Sequence, residues 1–350
     1  MKDQMSAFIQ GRTTITTGNQ VADSFEFPTT TICFYPGAKS SALKKLNITE
    51  NWFDTFKKGY SNKTIIETFD NVTFQLNTDF EINNIKAYSG YDTGKALKYG
   101  VQTLKECVSE DVYQDFTLES VRTYGTGTCY KLTPDFLATS APIRFCFRIV
   151  LKDTLEDKPD SLLLFITSNK SWIGLLDSAW PQFQPLQQTL KFTEEHSGFV
   201  VNVVERTYRD EMKPFENCFR NFFSKKNCSD ICHIISYPGL PTCLTDNDTI
   251  CNFGFEWDSP GYWQCFQTNF ATTYNLQERL NLPRVRPINT SSVEFYIGIP
   301  TKTKVIHEEV DILTLQDLIG SVGGSLGMFF GFSISASILY LINKVFGKIS

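Results

Sequence analysis

Apolar and polar positions alternate through long stretches of this 350-residue chain, as in SFEFPTTTICFY at residues 24–35. On a strand successive side chains point to opposite faces, so a period of two marks a pleated, half-buried element. Strand-like runs at Phe25–Phe34, Ile143–Leu151, Ser161–Thr167, Gly198–Tyr208 and Ser292–Ile312 are separated by long segments, which predicts a mixed sheet with large insertions. The first and last of these strands lie near the chain ends. One stretch carries helix punctuation instead: in NITENWFDTFKKG (47–59), Asn47 is a candidate N-cap, Glu50 follows three residues on, and Gly59 closes the pattern. That helix belongs to an insertion. No internal repeat and no low-complexity tract interrupts the reading.

The pattern changes near the end. From Leu318 to Ile342 no residue is charged, and a helix of that length, at about 1.5 Å per residue, exceeds a ~30 Å hydrocarbon core. One transmembrane helix is predicted over 317–343, with a short tail at 344–350. Glu308, Glu309, Asp311 and Asp317 precede it and Lys344 and Lys348 follow it. By the positive-inside rule this places the tail in the cytosol and residues 1–316 outside the cell. The opening stretch MKDQMSAFIQGRTTITTG has no apolar core of signal-peptide length, so a targeting or spanning segment is expected upstream of Met1.

Composition supports an extracellular β-rich body. Thirty Phe and fourteen Tyr suit pleated faces, and a net charge of −5 with scattered basic residues argues against a nucleic-acid partner. Ten Cys without a zinc-finger histidine pattern read as disulfides of an oxidising compartment. Glycosylation triplets begin at Asn47, Asn62, Asn71, Asn169, Asn227, Asn247 and Asn289, all upstream of the apolar segment. Six cysteines between 218 and 265 surround the turn SYPGLPTC. They allow fifteen pairings, of which a nested ladder, Cys232 with Cys243, Cys228 with Cys251 and Cys218 with Cys265, staples two antiparallel arms. Such a hairpin is either a lever that passes force without bending or a staple for a region poor in apolar core.

No catalytic constellation is present. His196, His233 and His307 fit no metalloprotease motif, HEEVD at 307 lacks a second histidine, and neither GxSxG nor a phosphate-binding loop occurs. The adjacent Glu194 and Glu195 point to opposite faces if extended. The chain reads as a non-enzyme without cofactor or metal.

FPTTTIC (27–33), YGTGTCY (124–130), GFVVNVVE (198–205) and LIGSVGGSLGMFFGFSISASIL (318–339) resemble, in order and spacing, blocks of the degenerin/epithelial sodium channel family. The resemblance runs essentially from end to end, with the last block the most specific. It implies an α+β fold: a β-rich, disulfide-stapled extracellular domain of palm, finger, knuckle, β-ball and thumb, followed here by one C-terminal transmembrane helix. Palm strands are expected near 24–34, 124–151, 198–208 and 292–312, a finger-like insertion at about 40–120, and a thumb-like cysteine hairpin at about 210–275. The implied protein is a plasma-membrane subunit of a homo- or heterotrimeric, amiloride-sensitive, sodium-preferring channel, with Na+ as cargo, lipid around its span and an unknown extracellular activator.

The family's narrow pore segment is a GxS tripeptide, matched by Gly331, Phe332 and Ser333. Gly323, Gly327, Gly331 and Ser335 recur every four positions, so one helix face lets neighbouring helices approach closely. Glycine also permits non-helical backbone, whose carbonyls survive at membrane depth only where they face protein or a lumen. With serine hydroxyls, such a ring replaces the hydration shell of a small cation. The resemblance further implies a gate at Gly320, a disulfide between Cys33 and Cys129, and thumb bridges like the ladder above, although the outermost family cysteines are absent. Cys107 and Cys146 are left over. Leu339 stands where many relatives carry an acid, so the inner pore lacks a negative ring and lower conductance or selectivity is expected. Two other readings use much the same features: a single-pass ligand-binding receptor, and a non-conducting modulatory subunit.

Overall fold

A computed structural model describes residues 13–48, 65–89, 116–123, 126–134, 137–138, 143–168, 186–192, 196–207, 220–221, 223–224, 227, 229–234, 236, 240–245, 272–282 and 292–311, with Gly320, Gly324 and Lys344. The chain divides into two compact units, residues 1–18 with 307–350, and residues 19–306. In the first, the Thr16 hydroxyl donates to the Glu308 carbonyl at 3.3 Å. The second contains the core, the five-stranded sheet and most strands of the seven-stranded one.

Fourteen strands and two helices are described: β1 Thr13–Val21, β2 Phe25–Glu26, β3 Thr29–Tyr35, α1 Ser40–Lys45, α2 Ile65–Val72, β4 Phe80–Ser89, β5 Phe116–Thr123, β6 Gly127–Pro134, β7 Leu137–Ala138, β8 Ile143–Leu151, β9 Ser161–Thr167, β10 Leu186–Lys191, β11 His196–Thr207, β12 Thr272–Leu282, β13 Ser292–Ile299 and β14 Thr303–Asp311. The strands expected in one mixed sheet divide between two. A seven-stranded sheet runs β1-β14-β11-β13-β8-β4, with β12 also on β11; a five-stranded sheet runs β10-β9-β3-β6-β5. The large sheet is mixed because β11 pairs parallel with β13 and antiparallel with β12.

Aromatic side chains fill the space between the sheets. On β13 and β8, Phe295 faces Phe147 and Ile297 faces Phe145 in register, and all four are at most 1% exposed. From the small sheet come Ile32, Phe34, Leu132, Leu162, Leu164 and Ile166. Phe34 meets Phe80 edge-on at 4.6 Å between centroids, and Phe80 meets Tyr130 at 5.0 Å. Each such side chain contributes about 1.5–3 kcal/mol on burial, and edge-on rings add directional preference. β3 and β9 are central and covered on both faces, which is why TTTICFY and SLLLFIT read as nearly continuous runs rather than strict alternation.

Three expectations change in detail. SFEFPTTTICFY is two strands, not one, because Pro28 offers no N–H to a ladder: β2 pairs with β7, and β3 joins the small sheet. The run Ser292–Ile312 is likewise interrupted at Pro300. β12 occupies one edge of β11 over His196–Glu205, so β13 and β14 follow each other along the opposite edge. Asn47 does not open a helix. With φ of 54° it follows α1, its N–H donating to the Lys44 carbonyl and that of Ile48 to the Leu43 carbonyl. This is a Schellman closure, which favours Gly or Asn at the left-handed position. The remainder of the expected 47–59 helix lies outside the described residues, apart from the buried Ile48.

Among the described residues no helix is long and apolar enough to cross a membrane. Of the segment expected to span, 317–343, only Gly320 and Gly324 are described, and both are helical and exposed.

Candidate functional site at the Arg122 junction

The hairpin turn joining β5 to β6 is built on glycine. Gly127 has φ of 75°, and a Cβ there meets the Gly37 carbonyl oxygen and the Thr73 methyl at 2.7 Å. A Cβ on Gly37 falls 2.3 Å from the Thr126 backbone. Two chain segments therefore touch backbone to backbone, an approach only glycine permits. Beside this contact Cys33 of β3 is disulfide-bonded to Cys129 of β6. The neighbouring hydroxyls are paired: Thr123 with Thr126 at 2.6 Å, and Thr73 with Thr128 at 2.9 Å.

α2 brings its last turn onto the same place. Gln75 Nε2 donates to Thr73 Oγ1 at 2.8 Å and to the Asp70 carbonyl at 3.0 Å. The Tyr130 hydroxyl donates to the Phe74 carbonyl at 3.1 Å and accepts the Leu76 N–H at 2.8 Å. Burial pushes the Tyr130 phenol up to about 12; the Leu76 bond opposes this, and the Asp70 and Asp79 charges add to it. Asp79 Oδ2 takes the Lys39 ammonium at 3.0 Å and the Gln75 N–H at 2.8 Å. The start of α1 is capped from far along the chain, since Asp157 accepts the Ser41 N–H and the Lys39 side chain at the N-cap makes no capping bond. Burial raises the Asp157 pKa, but the Ser41 bonds with Lys44 and Lys39 outweigh it and hold the carboxyl below its usual range.

Arg122, near the end of β5, joins these parts to the cysteine hairpin. Its Nε and Nη2 donate to the two oxygens of Asp70 on α2, at 3.1 and 2.9 Å, while Nη1 donates to the Cys243 carbonyl. The guanidinium carbon stands 5.9 Å over the Phe69 ring. Ser236 completes the clasp: its N–H donates to the Arg122 carbonyl at 3.0 Å, and its hydroxyl accepts the Arg122 N–H at 3.1 Å. The Arg122 side chain is only 12% exposed, so these charge-assisted bonds act with little competition from water. Cys232 is bonded to Cys243, and backbone bonds from His233 to Pro241 and from Cys243 to His233 close the hairpin. The bridge packs on Ile48, Ile66, Phe69 and Val72. His233 is buried against Phe223, ring centroids 4.7 Å apart.

One arginine thus joins a β strand, a helix and a cysteine-closed hairpin. No group of side chains able to hold a metal occurs among the described residues.

The pore residues expected from the sequence, Gly331, Phe332 and Ser333, lie outside the described residues, as do Gly323, Gly327, Ser335 and Leu339. Around Gly320 an added Cβ meets nothing within 4 Å. Cys218, Cys228, Cys251, Cys265 and Cys107 are outside the described residues. Cys146 is disulfide-bonded. Of the glycosylation candidates, Asn47, Asn71 and Asn227 are exposed, whereas Asn62, Asn169, Asn247 and Asn289 are outside the described residues. Arg122, Asp70 and Ser236 carry no sequence signal of their partnership. Their spacing of 52 and 114 residues leaves only the fold to bring them together.

A family model for the amiloride-sensitive sodium channel matches residues 3–338. No curated protein matches the chain. Among solved structures the chain is similar to a cryo-EM structure of a proton-activated chloride channel, at 8% identity and a TM-score of 0.41, over 97% of this chain and 89% of that one. With the family match extending from the first strand through the glycine-rich segment, the chain belongs to the amiloride-sensitive sodium channel family, a family of ion channels.

Proposed function

We propose that this chain is one subunit of a trimeric, sodium-preferring, amiloride-blocked cation channel of the plasma membrane, its β-rich body outside the cell and its C-terminal tail in the cytosol. The family match over residues 3–338 carries this reading. In it, Gly331, Phe332 and Ser333 form the narrow ring through which Na+ passes, Gly320 lies at the gate, and small residues at Gly323, Gly327, Gly331 and Ser335 pack neighbouring spans. The body divides into palm, finger, knuckle, β-ball and thumb, with the cysteine hairpin as thumb.

Gating starts at the hairpin. An extracellular stimulus displaces it, and the Arg122 clasp transmits the displacement to β5 and α2, because the same guanidinium bonds both Asp70 and the Cys243 carbonyl. From β5 the movement passes through β6 and the Cys33–Cys129 bridge into the small sheet, and through the shared aromatic core to β13, which the chain follows with β14. Recording sodium current from cells expressing the full-length protein, with and without amiloride, tests the reading. An amiloride-blocked inward current is expected. A surface-expressed protein that carries no current, alone or with related subunits, favours the receptor or modulatory-subunit alternative.

A further inference from the structure

The three consecutive threonines of FPTTTIC bury hydroxyls that no protein group meets. Thr29, Thr30 and Thr31 are 0%, 0% and 1% exposed and Thr167 is 3% exposed. The Oγ1 atoms of all four have no hydrogen-bond partner. Buried threonines at the β5–β6 turn differ, since Thr73, Thr123, Thr126 and Thr128 all bond to one another or to backbone. A buried hydroxyl left unpartnered is destabilising, and such groups ordinarily meet protein or ordered water.

Strand alternation sorts the four by face. Thr29 stands opposite Thr167 across the β3–β9 ladder, and Thr31, two residues on, opposite Phe165. These three therefore share the face that carries Cys33, Cys129, Leu163 and Phe165. Thr30 points to the other side, between Leu132 and Ile166 in the apolar layer shared by the two sheets. Opposed residues have Cβ atoms about 4.5–5.5 Å apart, and residues two apart on a strand are separated by roughly 6.5–7 Å. A water about 2.8 Å from each oxygen spans the opposed pair Thr29 and Thr167, and a second water, bonded to the first, reaches Thr31 farther along the strand.

We propose that Thr29, Thr31 and Thr167 form a buried hydration site, holding ordered water on the outer face of the small sheet beside the Cys33–Cys129 bridge, whereas Thr30 on the inner face is dry. Water matches the donor set. Each hydroxyl both gives and accepts a bond, and a site water needs two to four polar partners. The charged side chain nearest in register, Lys131 opposite Thr31, is compensated by Glu119 at 3.9 Å, so among the described residues of this face neither charge is left over for an ion.

Thr→Val replaces each hydroxyl by a methyl of the same shape, so the sign of the stability change reads out the surroundings. In the purified full-length protein, Thr29→Val, Thr31→Val and Thr167→Val are expected to lower the thermal midpoint by about 2–4 °C each. Thr30→Val is expected to leave it unchanged or raise it, in the same buffer. An unchanged or raised midpoint in the first three variants means that their hydroxyls are dry as well, and overturns the proposal. Exchange of chloride for gluconate is the second arm. A wild-type midpoint that does not change supports water, whereas a fall that Thr29→Val abolishes assigns the site to a halide and overturns the assignment to water.

Discussion

Tyr130 is the residue whose ionisation the fold opposes most directly within the measurable range. Its phenol is pushed up to about 12, by burial first, with the Asp70 and Asp79 charges adding and the Leu76 N–H bond opposing. In the unfolded chain a tyrosine titrates near 10. Below about pH 10 both states hold the proton and the stability it confers is complete. Between about 10 and 12 the unfolded chain loses the proton while the folded chain keeps it, so stability falls as pH rises through that window. Tyr274, also raised by burial and by Glu26 and Glu205, acts in the same direction. Tyr130→Phe should lower stability by roughly 1–2 kcal/mol at pH 8, from two lost hydrogen bonds, yet show a shallower decline between about pH 10 and 12. Thermal unfolding across that range checks this, and parallel slopes for the two proteins would refute it. At this scale the sequence carried a resemblance at YGTGTCY but not the left-handed conformation of Gly127 within it, which the fold supplies. Arg122, two residues before that motif, announces nothing, because an arginine on a strand reads as a solvated face until its partners are known.

The elements show the same division. Ile143–Leu151 and Ser161–Thr167 form strands with the expected ends, since β-branched and aromatic runs leave little else for the backbone to do. Pro28 and Pro300 end pairing where the chain's apolar pattern would continue it. At the cysteine hairpin, coupling between elements is measurable. Removing the bridge (Cys232→Ser with Cys243→Ser) should cost about 2–3 kcal/mol for a loop of this size, and Arg122→Ala about 2 kcal/mol, since it strips Asp70 and the Cys243 carbonyl of their donor. The combined variant should lose less than the sum by about 1 kcal/mol, because the guanidinium and the bridge hold the same carbonyl. Denaturant unfolding of the four proteins gives the coupling energy, and strict additivity would remove Arg122 from the proposed force path.

For the whole molecule the decisive variant is at Gly320. A Cβ there meets nothing within 4 Å, so the first atom of a larger side chain meets no neighbour. Gly320→Trp should raise resting, amiloride-blocked current several-fold over wild type at equal surface expression, as two-electrode recording reads it, and an unchanged resting current would count against a gate at this position. The chain's own composition determined a β-rich, disulfide-bearing body and its family, because alternation, cysteine count and the glycine-rich run are properties of local order along the chain. The tertiary structure alone decided that the strands part into two sheets around one aromatic core, that Asn47 closes a helix, and that Arg122 clasps Asp70 and the cysteine hairpin. The first and the last depend on groups tens to more than a hundred residues apart that only the folded core brings together, whereas the Asn47 closure depends on α1 ending just before it.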